Sequence, residues 1–119
     1  PTDLRPQIGQ WVFGCDVCQQ VCPWSRFAAP QGDPAFAARP GLPVPDLVEE
    51  ITLSPEAFNR KFKGSPVKRS RRRGYLRNVA VALGNSGDAA AVPALEEALN
   101  DEVEPLVREH IIWALEQLS

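Results

Sequence analysis

The chain has 119 residues, of which 44% are hydrophobic and 24% charged, and its formal net charge is −2. This length suits one modest domain or two small units. The sequence contains no apolar run long enough to cross a membrane and no signal-peptide pattern, so we predict no membrane association. Because the chain starts at Pro1 without a methionine, we interpret it as the C-terminal piece of a longer polypeptide.

The first predicted unit, residues 1–27, contains every cysteine of the chain, Cys15, Cys18 and Cys22, in the spacing C-x2-C-x3-C-P. This spacing matches the second half of a bacterial ferredoxin run, in which the cysteine before proline ligates a different cluster from its neighbours. Two [4Fe-4S] clusters need about eight thiolates. The unit is therefore predicted to be the C-terminal part of a ferredoxin-type double-cluster domain that shares both clusters with upstream cysteines.

Other interpretations of the cysteines remain open. A zinc site would need a fourth ligand, and the only histidine, His110, is far away in sequence. A redox disulfide between Cys15 and Cys18 would leave Cys22 without a role. An odd number of cysteines is a poor disulfide framework, which favours a reducing, cytoplasmic location.

Apolar residues lie on both sides of the cysteine run. They predict either a jacket that keeps water away from a metal centre or the ordinary core of a small domain. The residues concerned are Ile8, Trp11, Val12, Phe13, Trp24 and Phe27.

Residues 28–45 contain five prolines and two glycines. Proline fixes its own φ and disfavours helix in the preceding residue, so this stretch is predicted to be an irregular connector.

The remaining residues, 46–119, are predicted to be helical. Apolar residues at helical spacing from Leu76 to Leu83 place one face of the longest helix in a core, and this helix is predicted to stop at Gly84-Asn85-Ser86-Gly87. Two apolar pentads that end in Ala-Leu are offset by 32 residues, a period that indicates HEAT-like repeats. Capping residues and prolines predict helix starts at Asp46, Ser54-Pro55, Ser65-Pro66, Asp88 and Val103 or Pro105.

The predicted fold is therefore mostly α, a ferredoxin-like iron–sulfur edge followed by a HEAT-like helical repeat.

Basic residues are concentrated before and within the longest helix. Nine of the 13 lie in residues 60–77, where no acid occurs, whereas residues 88–119 contain eight acids and only Arg108 as a base. A solvated helix face is one interpretation, but the excess of arginine favours a polyanion, because the guanidinium fork fits phosphate. The helix start at Ser65-Pro66 would add free N–H groups for an anion. The residues predicted to bind nucleic acid are Lys61, Lys63, Lys68, Arg69, Arg71, Arg72, Arg73 and Arg77.

No catalytic constellation is visible, since the chain has neither a glycine-rich phosphate loop nor a nucleophile–base pair. His110 is predicted to be a satisfied, half-buried histidine, and Trp113 a core residue. The carboxylates predicted to form a solvated acidic face are Glu96, Glu97, Glu102 and Glu104.

Five stretches closely resemble the C-terminal part of the epoxyqueuosine reductase family, in the same order. The visible departures are Ser25, where asparagine is expected, and Ser65, where threonine is usual; neither is a ligand position. The stretches are 5–9, 13–24, 62–69, 76–85 and 107–115.

The resemblance implies a cobalamin-dependent oxidoreductase with two [4Fe-4S] clusters that reduces epoxyqueuosine at the tRNA wobble position, the last step of queuosine biosynthesis. It implies ligand roles for Cys15, Cys18 and Cys22, and a helical domain, residues 46–119, that grips the anticodon stem-loop. It further implies a cytoplasmic monomer that receives electrons from a donor such as ferredoxin or flavodoxin. The catalytic acid and most of the cobalamin pocket would lie upstream, so no catalytic residue is assigned within this chain.

Two alternatives belong to other functional classes. One is an iron–sulfur electron-transfer subunit whose helical repeats dock a protein partner through the basic surface. The other is a zinc-bearing nucleic-acid binder without catalysis.

Overall fold

The structure, a computed structural model, describes residues 1–30, 32–39 and 45–119. Within these ranges the regular elements are all helical, and none of the helices is both long and apolar enough to span a membrane. The chain forms two compact units, a helical unit of Pro1–Phe13 with Asp46–Ser119 and a cysteine unit of Gly14–Pro45. Positions 31 and 40–44 of the predicted connector lie outside the described residues.

The helices of the described residues have the following bounds. The α-helices are α1 (Arg5–Ile8), α2 (Val17–Gln20), α3 (Leu47–Glu50), α4 (Pro55–Lys61), α5 (Arg71–Ser86), α6 (Val92–Asp101) and α7 (Pro105–Leu118). Short 3-10 helices occupy Thr2–Leu4, Pro23–Phe27, Pro34–Phe36, Pro66–Ser70 and Ala89–Ala91.

Three predicted capping residues are confirmed, although Asp88 caps the 3-10 helix Ala89–Ala91, directly after which α6 begins at Val92. The side chains of Asp46, Ser54 and Asp88 each accept a hydrogen bond from a backbone N–H two or three residues further on. Each cap satisfies one of the amides that a helix leaves unpaired in its first turn.

The prediction that a long α-helix starts at Ser65-Pro66 is wrong. The Ser65 hydroxyl caps only the 3-10 helix Pro66–Ser70, and α5 begins at Arg71. Arg71 has φ 57° and ψ 162°, a backbone conformation outside the helical region, so the chain changes direction here instead of continuing as one helix. The free N–H groups expected at Ser65 therefore belong to a short turn and not to the long helix.

Helix α5 is the centre of the helical unit, where it packs against α1, α3 and α7, and α6 packs against α7. The predicted inner face of α5, at Leu76, Val79, Ala80 and Leu83, is at most 4% exposed, which confirms the periodicity argument. Trp113 of α7 is buried as predicted.

Gly84 lies inside α5, where the sequence predicts the start of a stop signal. The helix continues to Ser86 and ends at Gly87, whose φ of 69° is the left-handed conformation that favours glycine at a helix end. A Cβ at Gly84 would lie 2.8 Å from Cζ3 of Trp113 and 2.9 Å from Cα of Ala114. Gly84 is therefore required for the close approach of α5 and α7.

We expect Gly84→Ala to destabilise the fold by about 1–3 kcal/mol, because overpacking a tight helix contact outweighs the better helix propensity of alanine. Gly74→Ala is the matched control in the same helix. A Cβ there meets only Ser70 Cβ, at 3.6 Å, so the substitution should stabilise by up to about 1 kcal/mol. Chemical unfolding of both variants checks this, and changes of the same sign would contradict it.

Candidate functional site

The cysteine run lies in the cysteine unit, around the single-turn helix α2. Cys15 precedes this helix, Cys18 lies within it, and Cys22 follows it with an extended backbone just before Pro23. All three are free thiols, of which Cys15 and Cys18 are exposed and Cys22 is partly buried. The positive φ of Gly14, 65°, forms the bend into the run.

The thiols present are the soft ligands that iron–sulfur clusters take, and their exposure leaves them accessible. Within the described residues, however, no three cysteine, histidine or acidic side chains are placed to hold one metal ion. The donor chemistry therefore fits a cluster, while the remaining ligands would have to come from outside this set of residues.

The apolar residues near the cysteines are not an ordinary buried core. Trp24 is 78% exposed and Phe27 67%, although their rings contact each other at a centroid distance of 5.9 Å. Ile8, Trp11 and Phe13, on the helical unit, are each close to half exposed. The metal-jacket interpretation stays a prediction.

Two residues of the basic stretch hold the fold together. Lys61 forms an ion pair with Glu50, a carboxylate that is only 4% exposed and that also accepts a hydrogen bond of 2.7 Å from the Tyr75 hydroxyl. Burial, together with the neighbouring Glu50 carboxylate, raises the pKa of Tyr75, so the phenol stays protonated. Phe58 and Phe62 pack around the same ring.

Arg72 is the second such residue. Its guanidinium donates to both carboxylate oxygens of Glu102, at 3.2 and 2.8 Å, and to the carbonyl oxygen of Leu53 at 2.7 Å. It therefore ties the segment before α4 to the segment between α6 and α7. The prediction that Glu102 belongs to a solvated acidic face is wrong, since this residue is 7% exposed and paired.

Burial alone would raise the pKa of Glu102, but hydrogen bonds from Arg72 and from the backbone of Glu104 and Val103 outweigh it, so the pKa lies below its ordinary value of 4.5. A lowered folded-state pKa gives stability that is complete above the ordinary pKa and is lost as pH falls through the folded pKa.

We expect Glu102→Gln to lower the free energy of unfolding by about 1.5–3 kcal/mol at neutral pH, the usual worth of hydrogen bonds to a charged group. The deficit relative to wild type should shrink as the pH falls below about 4.5, where the wild-type carboxylate is also protonated. Glu104→Gln, which removes a neighbouring carboxylate that pairs with no base in the described residues, should change little. A pH-independent deficit in urea unfolding would contradict this.

Four other arginines of the basic stretch line a hollow on the helical unit. This hollow, which we call the arginine hollow, has a volume of about 530 Å³. In the part of the chain that the structure describes, no carboxylate pairs with Arg69, Arg71 or Arg73. It is lined by Arg69, Ser70, Arg71, Arg73, Gly74, Arg77 and Leu106.

The position of these arginines on α5 is unfavourable for the helix itself. Arg71 and Arg73 lie in its first turn, where the helix dipole is positive and cations are destabilising. Helix stability therefore does not explain their position. Lys68 is exposed and borders a second hollow of about 320 Å³ together with Arg71, and Lys63 is exposed as well.

Side chains of α5 and α7 also hold the segment that leads to the cysteines. The amide nitrogen of Asn85 donates to the carbonyl oxygens of Arg5 and Gly9, at 2.9 and 2.7 Å, and that of Asn78 donates to Val12 at 2.8 Å.

The Arg5 side chain is itself buried, pairs with Glu109 and lies over the ring of Trp113. The hydrogen bond from Arg5 lowers the pKa of Glu109. No capping or periodicity signal in the sequence predicts the pairing of Arg5 with Glu109; both residues lie in stretches that resemble the family.

His110 is satisfied as predicted and more deeply buried than predicted, at 8% exposure. Its Nδ1 lies 2.7 Å from the carbonyl oxygen of Leu106, so this nitrogen carries the proton of the neutral ring. Burial lowers the pKa of His110.

The chain is similar in sequence to known proteins. Residues 69–118 match the family model for HEAT repeats. An epoxyqueuosine reductase of Pseudomonas aeruginosa is 46% identical over 117 residues, which cover 97% of this chain and 32% of the relative. The chain is homologous to part of the epoxyqueuosine reductases.

Solved epoxyqueuosine reductases share the fold. The structure from Bacillus subtilis has a TM-score of 0.88 at 29% identity and covers 99% of this chain and 32% of that protein. An epoxyqueuosine reductase in complex with a modified tRNA-Tyr stem-loop has a TM-score of 0.72 at 24% identity over 99% of this chain and 40% of that protein. The mostly helical fold with a HEAT repeat is thus confirmed, and the chain spans about a third of the length of the curated relatives it matches.

Proposed function

We propose that this chain is the part of an epoxyqueuosine reductase that supplies three cluster thiolates and a cationic surface for tRNA. The observation that carries this proposal is the match to epoxyqueuosine reductases over 97% of the chain, which includes both the cysteine run and the arginine hollow. The name of the relatives identifies the reaction, removal of the epoxide oxygen from epoxyqueuosine, which takes two electrons and two protons and releases water.

In this proposal Cys15 and Cys18 ligate one [4Fe-4S] cluster and Cys22 ligates a second, with the other thiolates supplied by the rest of the enzyme. These thiolates would hold clusters that supply electron transfer from a donor such as ferredoxin or flavodoxin to cobalamin, whose pocket would lie mainly outside these 119 residues. The spacing of the three cysteines, with Cys22 directly before Pro23, supports this division.

The arginine hollow is proposed to hold phosphates of the anticodon stem-loop. Arg69, Arg71 and Arg73 have no carboxylate partner in the described residues, and guanidinium groups bind phosphate in a bidentate manner. Lys61 and Arg72 already have carboxylate partners, so we expect them to support the surface more than to contact RNA. Because the proposed substrate is tRNA, we expect a cytoplasmic enzyme, and we expect it to be a monomer.

A chimera tests the function directly. The matching third of the Pseudomonas aeruginosa enzyme is replaced with this chain, and the oxidation state of the nucleoside in tRNA is measured by mass spectrometry. We expect conversion of epoxyqueuosine to queuosine, with loss of one oxygen atom.

A chimera that carries Cys15→Ala and Cys22→Ala should fold and bind tRNA but leave epoxyqueuosine intact. An inactive chimera that holds its full iron content and binds an acidic protein in place of tRNA would favour the electron-transfer alternative.

A further inference from the structure

Helix α5 carries two sets of polar side chains with different partners. Arg71, Arg73 and Arg77 line the arginine hollow. Asn78 and Asn85 bind backbone carbonyl groups of residues 5–12. Because seven residues make almost two helical turns, both asparagines lie on one face of α5. The same helix thus serves the proposed RNA surface and the segment that leads to the cysteines.

The contacts also give the direction of that segment. The carbonyl groups of Arg5 and Gly9 meet Asn85, near the end of α5, and that of Val12 meets Asn78, half a helix earlier. The segment therefore runs antiparallel to α5, towards the end of the helix that carries the arginines. Cys15 follows Val12 by only three residues.

Asn78 connects the two sets, because its side-chain amide is engaged at both ends. Its oxygen accepts a hydrogen bond of 3.2 Å from Nε of Arg77, and its nitrogen donates to the carbonyl oxygen of Val12 at 2.8 Å. Arg77 is partly exposed and lines the arginine hollow. The Asn78 side-chain amide is planar. If it rotates to keep its oxygen bonded to Arg77, its nitrogen therefore moves relative to the carbonyl oxygen of Val12.

We propose that Asn78 is a positioning residue that couples nucleic-acid binding in the arginine hollow to the placement of the segment entering the cysteine run. The inference rests on the proposed function, since RNA must occupy the hollow. When Arg77 turns its guanidinium towards a phosphate, its bond to Asn78 changes, and the hold of Asn78 on Val12 changes with it. Such coupling is reciprocal, so a ligand that fixes the cysteine segment alters RNA affinity by the same factor.

The test uses the 119-residue chain, labelled with ¹⁵N, kept reduced and titrated with a synthetic anticodon stem-loop RNA. The backbone amide signals of Phe13, Gly14 and Cys15 are followed to saturation, and RNA affinity is measured in parallel. We expect these signals to shift when RNA binds. In Asn78→Asp, which keeps the acceptor for Arg77 but removes the donor to Val12, the RNA-induced shifts should be lost at saturating RNA.

Asn85→Asp is the matched control. It removes the hydrogen bonds to the carbonyl groups of Arg5 and Gly9, but residue 85 does not line the arginine hollow. The RNA-induced shifts should therefore persist in this variant. Arg77→Lys retains the charge but removes the Nε–H that bonds Asn78. It is expected to bind RNA more weakly, because lysine lacks the guanidinium fork, and at saturating RNA it should leave the signals of the cysteine segment unshifted, so it provides the test if Asn78→Asp does not fold. RNA binding to wild type without shifts, or shifts that persist in Asn78→Asp and Arg77→Lys, would overturn the coupling alone. No RNA binding to wild type would overturn the proposed function as well.

Discussion

Alanine at Cys15 or Cys18 is expected to remove one cluster from the chimeric epoxyqueuosine reductase, and alanine at Cys22 the other. The reason is reach: helix α2 separates Cys22 from Cys15, and the extended backbone of Cys22 leads directly into Pro23. In ferredoxin runs of this spacing the last cysteine ligates the second cluster. Each substitution should abolish turnover, because the proposed electron path uses both centres.

The measurement is iron content together with electron paramagnetic resonance of the reduced enzyme. Cys15→Ala and Cys18→Ala act as controls for each other and should give the same residual spectrum, whereas Cys22→Ala should give a different one. Gln19→Ala, an exposed neighbour without a thiol, should leave both signals intact. If Cys15→Ala and Cys22→Ala remove the same signal and spare the other, a single site completed by a ligand from elsewhere replaces the two-cluster assignment.

Local signals in the sequence were sufficient for most of the helical fold. The caps at Asp46, Ser54 and Asp88 and the apolar face from Leu76 to Leu83 depend on residues within one or two helical turns, and all were confirmed. The start of α5 was misplaced because Ser65-Pro66 is a valid start signal locally. The chain changes direction at Arg71. Capping rules consider only neighbouring residues and therefore do not predict this change.

The roles of the polar residues depend on contacts between distant parts of the chain. Arg5 pairs with Glu109, 104 residues later, and Arg72 with Glu102, 30 residues later. A run of basic residues in the sequence shows charge density but not which members are already neutralised. The structure shows that Lys61 and Arg72 have carboxylate partners, whereas Arg69, Arg71 and Arg73 line the hollow. An RNA-binding test should therefore substitute the arginines of the hollow.

The triple variant Arg69→Gln, Arg71→Gln, Arg73→Gln is expected to lose most of the salt dependence of binding to the anticodon stem-loop. If about five cations of the wild-type chain each neutralise one phosphate, affinity should fall roughly 10²–10³-fold between 50 and 200 mM salt. Removing three of these contacts should reduce the slope of log affinity against log salt by about 2–3. Helix stability should not suffer, because cations in the first turn of α5 oppose its dipole.

Two single substitutions that each remove one positive charge distinguish binding in the arginine hollow from attraction by the overall charge of residues 60–77. Arg73 lines the hollow, whereas Arg60 is an exposed arginine of α4 that does not. Arg73→Gln should therefore weaken RNA binding clearly more than Arg60→Gln, as measured by fluorescence anisotropy at several salt concentrations. Equal effects of the two would mean that RNA senses only the overall charge of residues 60–77. An unchanged affinity in the triple variant, with α5 still helical by circular dichroism, would instead favour an acidic protein as the partner of this surface.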